Sequence, residues 1–297
     1  MQCPQCASQI DPYIVTCPHC MAHVGFPNVR AASNPDERQA LAQRVAVARD
    51  DANRRGCEQQ LRDFHSAVAN DSRAVINRRW GTLAGLASAN SSVFKTFYEM
   101  VNLNERRPQD NEADRARKSV DATFFPYYED QIHFAALSLS GQGPASYGEC
   151  SLVLHNTAIA HRASVFEEST LVFCRKHVIA VGQSPPCGYR ATWLDRADLA
   201  IAKLHAEIQP GTVTDNFDDI LLKQKGGTDQ DEFLEVHVYG TLAFNNVERF
   251  RWPTPKIDDD RVLCKNLNGQ SLVLAQFLRD DDARFNIGTS GSGCCVG

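Results

Sequence analysis

The sequence predicts an α+β protein, and three observations carry that expectation. Two Cys-x-x-Cys pairs stand in the first twenty residues, apolar residues recur at helical spacing between 34 and 101, and beyond residue 124 the pattern turns to the period of two of strands. The 297 residues are 43% hydrophobic and 23% charged, with formal net charge −5, which suits one large globular domain or two to three modest ones. No apolar run approaches the roughly 18 residues a membrane span needs. No signal-peptide pattern opens the chain, so a cytoplasmic location is expected. Of eleven cysteines, four have metal-ligand spacing and the remaining odd seven are scattered, which argues against a disulfide framework.

Residues 3–20 read Cys-Pro-Gln-Cys, a ten-residue loop, then Cys-Pro-His-Cys. Each Cys-x-x-Cys turn presents two thiolates to one ion, and two such turns complete a tetrahedral site with Cys3, Cys6, Cys17 and Cys20 as ligands. Four thiolates leave no open coordination position, so a zinc ion there would be structural. Residues 1–27 resemble the zinc-ribbon family, although the glycine usual after each second cysteine is replaced by Ala7 and Met21. The resemblance implies a ribbon that binds a protein or nucleic acid, or that caps a domain.

Residues 28–118 read as a helical region, a spacer or a scaffold packed on the later part of the chain. Asn34 is an N-cap, Pro35 takes the first helical position, and Asp36 and Glu37 fill the first turn. Leu41, Val45 and Ala48 come next at helical spacing. A second helix over 58–69 places Leu61, Phe64, His65 and Val68 on one face, with His65 expected as a packed core residue. A third helix is expected near Asp71 and a fourth near Ser91, with Phe94, Phe97 and Tyr98 in the core. The mild arginine excess of this region is sparser than a nucleic-acid stripe.

Residues 119–260 carry the strand signals, at 132–139 and 233–240 most clearly, with a helix over 192–208 between them. The apolar run 171–173 extends the β character. The stretch 147–170 reads as a hairpin with a solvated acidic tip at Glu167 and Glu168, or as one side of a ligand pocket at a sheet edge. Glu235 stands in the middle of an alternating strand, sharing a face with Phe233 and His237; such a carboxylate costs burial unless it has partners or work. Cys174, His177 and Cys187 are weaker candidates for a thiol nucleophile or a second metal. Residues 261–297 form a C-terminal extension and tail, acidic at Asp280, Asp281 and Asp282 and ending near Cys294 and Cys295, a pair that faintly suggests lipidation.

Taken together, the Tyr147–Gly148 corner, the Arg162-Ala163-Ser164 segment, the helix after it and the Glu235-x-His237-x-x-Gly240 strand resemble the bacterial toxin-like ADP-ribosyltransferase superfamily. The resemblance implies split β-sheets around a cleft, NAD as substrate, and an effector, toxin or defence role. It implies Glu235 as the catalytic carboxylate stabilising an oxocarbenium-like transition state. Arg162 or His133 would hold the dinucleotide, Tyr147 would stack on nicotinamide, and Ser164 would support, with Ser169 or Thr170 as substitute. Phe233 stands where arginine-modifying members carry Glu or Gln, which leaves the acceptor open. The alternative expectation is a non-enzymatic zinc-ribbon adaptor that binds protein or nucleic acid.

Overall fold

The computed structural model of the chain describes residues 1–79, 82–83, 93–104, 112–180, 182–228 and 230–251. The N-terminal unit is built from two small hairpin-like turns, one closed by a bridge at Gln2–Gln9 and the other by a bridge at Thr16–His23, packed around Ile10 and Val24. It runs into α1 (Pro27–Ala32), α2 (Pro35–Arg55) and α3 (Glu58–Asp71). Asn34 caps α2 as expected, its side chain accepting from the Asp36 amide at 2.9 Å, and Gly56 ends the helix in the left-handed region at φ 73°.

The first departure from the sequence reading comes here. Near Asp71, where a third helix was expected, α3 ends, and Arg73–Arg78 forms strand β1. The run Ala74-Val75-Ile76 is buried on both sides, and a short apolar run buried on both faces does not reveal its period. After β2 (Val93–Phe94) come α4 (Phe97–Asn102) and α5 (Glu112–Phe124). Phe94, expected on a helix, therefore lies on a strand, where its ring meets Phe244 edge-on.

The remaining elements are β3 (Ile132–Ser138), β4 (Cys150–Leu154), α6 (Asn156–Ile159), β5 (Ala163–Phe166), α7 (Thr170–Lys176), β6 (Arg190–Thr192), α8 (Arg196–Leu204), α9 (Phe217–Leu221), β7 (Glu235–Tyr239), β8 (Leu242–Ala243) and β9 (Val247–Arg251). Seven strands form one antiparallel sheet in the order β6-β5-β7-β3-β1-β4-β9, and β2 pairs with β8. The fold is thus α+β. Among the described residues the large sheet is continuous and is not divided into the split pair that the transferase resemblance implied. β1 lies between β3 and β4, so the region expected as helical contributes a strand to the same sheet as the later strands.

Strand alternation sorts side chains onto two faces. Ala74, Ile76, Ala135, Leu137, Leu152, Leu154, Val165, Val236 and Val238 face the main core, which α2, α3 and α8 cover with Leu41, Val45, Leu61, Phe64, Leu199 and Ile201. On the other face α5 and α7 bring Val120, Phe124 and Phe173 against Phe166 and Tyr128. The segment 171–173, expected as β, is helical because its apolar residues serve this second layer.

The stretch 147–170 is neither a hairpin nor a solvated tip. Strand β4 pairs with β1 and β9, β5 pairs with β6 and β7, and α6 carries the chain across. Glu167 and Glu168 are buried, and Arg44 Nη2 lies 2.5 Å from Glu167 Oε2. His65 is half-buried between α3 and α8, its Nε2 3.1 Å from Asp198 Oδ1. Among the described residues no helix is long and apolar enough to cross a membrane. The expected extension 261–297, with Cys294 and Cys295, lies outside the described residues.

Helix α7 ends at Lys176; just beyond its cap Val178 adopts φ 54° while 84% exposed, and Ile179 N closes the turn by donating to Cys174 O at 3.0 Å. A β-branched residue in the left-handed region costs about 1–2 kcal/mol, and this one buries nothing in return. Val178→Gly is expected to stabilise the protein by roughly 1 kcal/mol in denaturant unfolding. A destabilised variant would mean that the valine contributes a contact this geometry does not contain.

Candidate functional site

The four N-terminal cysteines converge. Cys3 Sγ lies 3.7 Å from Cys20 Sγ and Cys6 Sγ lies 3.7 Å from Cys17 Sγ, and all four sulfurs fall within 4.8 Å of one another. A tetrahedron with zinc–sulfur bonds of ~2.3 Å has sulfur–sulfur edges of about 3.8 Å, whereas a disulfide needs about 2.05 Å. The set therefore fits a metal ion such as zinc.

Each half is the same turn repeated. Cys3 N donates to Ser8 O and Ala7 N to Cys3 O; Cys17 N donates to Ala22 O and Met21 N to Cys17 O, all at 2.9 Å. The positions after the second cysteines do need a left-handed residue, and Ala7 (φ 57°) and Met21 (φ 59°) supply it without glycine.

The transferase candidates fall into separate places. Glu235 and Ser164 share the face covered by α5 and α7. Ser164 sits directly opposite His237 across β5 and β7, and Glu235 Oε2 accepts from Thr170 N at 3.1 Å and lies 3.0 Å from His237 Nε2. His133 pairs with Val238, and strand alternation turns it to the opposite face. Burial first, then Arg78 and Arg162, pushes His133 down to about 3, so it is neutral and unsuited to hold phosphate. Arg162 lies level with Tyr239, four residues along β7 from Glu235, or about 13 Å at ~3.3 Å per residue. Its guanidinium donates to Ala158 O, Tyr239 O and Thr241 O. The Tyr147 hydroxyl donates to Thr228 O and its ring meets Phe233, away from Ser164 and Arg162.

Glu235 is only 7% exposed. The cavity beside His237, lined by Asn28, Phe124, Phe125, Ser164, Phe166 and Arg190, measures ≈ 10 Å³. That is room for about one water molecule, against the several hundred Å³ of a cofactor site.

Two polar residues of this layer were not singled out from the sequence. Asn28 donates to Arg162 O, Ser164 Oγ and His237 O, tying α1 to two strands. Asp121, on the buried side of α5, accepts from the Tyr98 hydroxyl at 2.8 Å. Neither carries a local signal: one comes just after a proline in a linker, and the other is an acid in a charged helix.

Glu167, Glu168 and His177 also bring donor atoms within 4.8 Å of one another. Arg44 pairs with Glu167 and Lys176 with Glu168, while Lys203 Nζ donates to Glu167 O. These cations already balance the two carboxylates, so the cluster is an ion-pair network joining α2, α7 and α8. Cys174 is half-buried and Cys187 exposed; no nucleophile–base pair among the described residues uses either.

No family model matches the chain, and no curated protein matches it either.

Burial raises Asp121 to about 7, with Arg117 and Tyr98 pulling the other way. The folded carboxyl thus keeps its proton to higher pH than the unfolded one, near 3.9. The corresponding stability is complete below about pH 4 and is lost as pH rises through about 7. Asp121→Asn is expected to flatten this decline, giving a melting temperature at pH 8 above that of wild type. A variant with the wild-type pH slope would contradict the assignment.

Proposed function

We propose that the protein is a non-enzymatic adaptor, in which a structural zinc ribbon presents a protein-binding surface on a rigid α+β body. The convergence of Cys3, Cys6, Cys17 and Cys20 carries this reading. A site closed by four thiolates has no position for substrate or activated water. Zinc in such units contributes about 10–16 kcal/mol of apparent binding free energy. That outweighs the about 1–2 kcal/mol of left-handed backbone at Ala7 and again at Met21.

Charge decides the class of partner. Residues 1–29 contain no lysine or arginine, and four thiolates around one zinc leave a net negative cluster. Affinity for nucleic acid comes largely from cations that displace counterions from phosphates. The ribbon lacks them, while Met21 stands 74% exposed on its second turn, an apolar group suited to a protein surface.

A second reading, NAD-dependent ADP-ribosyl transfer, is favoured by one observation: a carboxylate, Glu235, held in mid-sheet by His237 at 3.0 Å. In that chemistry the carboxylate would stabilise positive charge on the ribose as the bond to nicotinamide breaks. It would require the α5–α7 cover to lift from Glu235 and Arg162 to leave its three carbonyls, so we place it second.

Metal analysis is expected to give about one zinc per chain, lost in Cys17→Ser/Cys20→Ser, while far-UV circular dichroism retains the sheet signal. A wild-type protein free of zinc would refute the ribbon reading. Incubation of the zinc-loaded protein with nicotinamide-labelled NAD is expected to release no nicotinamide. Release that disappears in Glu235→Gln would overturn the adaptor reading in favour of the transferase.

A further inference from the structure

A cleft of ≈ 320 Å³ opens between α2 and the start of α8, and it shares no residue with the ribbon or with the layer around Glu235. Its α2 wall recurs at helical spacing from Arg38 to Arg49, one face of that helix. Leu41 and Val45 are buried and make an apolar floor. Ala42 and Ala46 end at Cβ beside them, so the helix leaves space where longer side chains would fill it. The volume lies at the lower end of the roughly 300–1,000 Å³ of small-molecule sites.

The four charges around this floor are not equivalent. Arg49 Nη2 lies 3.8 Å from Asp198 Oδ1, and His65 Nε2 lies 3.1 Å from the same oxygen, so that end is balanced within the fold. Arg38 is exposed, and its guanidinium makes no hydrogen bond or ion pair with a described residue. Asp195 precedes α8 without capping it through its side chain. Its Oδ2 accepts from the Thr192 hydroxyl at 2.7 Å, which leaves Oδ1 open. Arg38 and Asp195 line one cleft without pairing with each other. One cation and one anion are thus left open on facing walls, with an apolar floor between them.

We propose that this cleft binds a free α-amino acid with an apolar side chain. Its carboxylate would meet Arg38, its ammonium Asp195 Oδ1, and its side chain the floor at Leu41 and Val45. A guanidinium fork takes a carboxylate through two parallel hydrogen bonds, and an ionised carboxylate accepts from an ammonium. An apolar acid would leave Asp195 facing its bound anion, and an apolar amine would do the same to Arg38. A longer peptide carries its two terminal charges far apart, whereas a single amino acid offers both on one carbon. The proposal goes beyond the adaptor reading and does not depend on it.

The test is an amide chemical-shift titration of the zinc-loaded, isotope-labelled full chain with L-leucine. Two comparison ligands keep the hydrocarbon chain: isocaproate lacks the ammonium and isoamylamine lacks the carboxylate. Saturable shifts at Ala42, Ala46 and Asp195 are expected with leucine, and each comparison ligand should bind about tenfold more weakly. Glycine, which cannot use the floor, should also bind more weakly. Arg38→Gln should reduce leucine to the affinity of isoamylamine and leave isoamylamine itself unchanged. Ala46→Leu, which fills the cleft, should weaken leucine binding, and Arg62→Gln on α3 should not affect it. Arg38 is exposed and unpaired, so its substitution does not threaten the fold and decides the matter. Absence of saturable leucine binding would overturn the proposal. Equal affinity for leucine and isoamylamine in the wild type, or unchanged leucine affinity in Arg38→Gln, would do the same.

Discussion

The placement of the ribbon depends on one short junction, residues 26–30. Phe26 packs against His161 and Tyr239, and Asn28 gives its amide hydrogens to carbonyls at Arg162 and His237 and to Ser164. Arg30 turns the other way and donates to Pro12 O, Ile14 O, Val24 O and Gly25 O. A guanidinium spread over four carbonyls is a rigid brace, since its fork is planar and its stem is held at α1. The ribbon is therefore clamped to the central sheet and does not hang from a flexible linker. In the proposed adaptor role, the four-cysteine unit would face a partner in one fixed direction relative to the body.

Sealing governs the body itself. The sheet has two covered faces, and the polar residues on the α5–α7 face are satisfied largely by one another. Glu235 has an amide and a histidine, and Asp121 has Tyr98. Such groups are costly when unpaired and specify packing when paired. Their burial therefore has a sufficient structural explanation, and chemistry at Glu235 would require that layer to open.

The convergence of Cys3, Cys6, Cys17 and Cys20 into one cluster that could hold a metal ion was legible in the sequence, because the spacing of cysteines along the chain is itself the geometry of the cluster. The cap at Asn34 and the strand at 233–240 were legible for a similar reason, being local signals for local structure. What the sequence concealed was non-local. Ala74-Val75-Ile76 reads equally as helix or strand until its neighbours β3 and β4 are known, and the fate of Glu167 and Glu168 depends on Arg44, more than a hundred residues away. The grouping of Arg162, His133 and Tyr147 with Glu235 rested on order along the chain. Strand alternation sends His133 to the other face, and antiparallel register sets Arg162 at the far end of β7.

The central claim, a closed four-thiolate centre clamped to the sheet, is tested most directly at the metal itself. X-ray absorption at the zinc edge of the purified full chain is predicted to show a single shell of four sulfurs at about 2.3 Å. A shell that mixes sulfur with nitrogen or oxygen would mean an open or differently ligated site. That result would contradict both the structural role of the ion and the adaptor reading built on it.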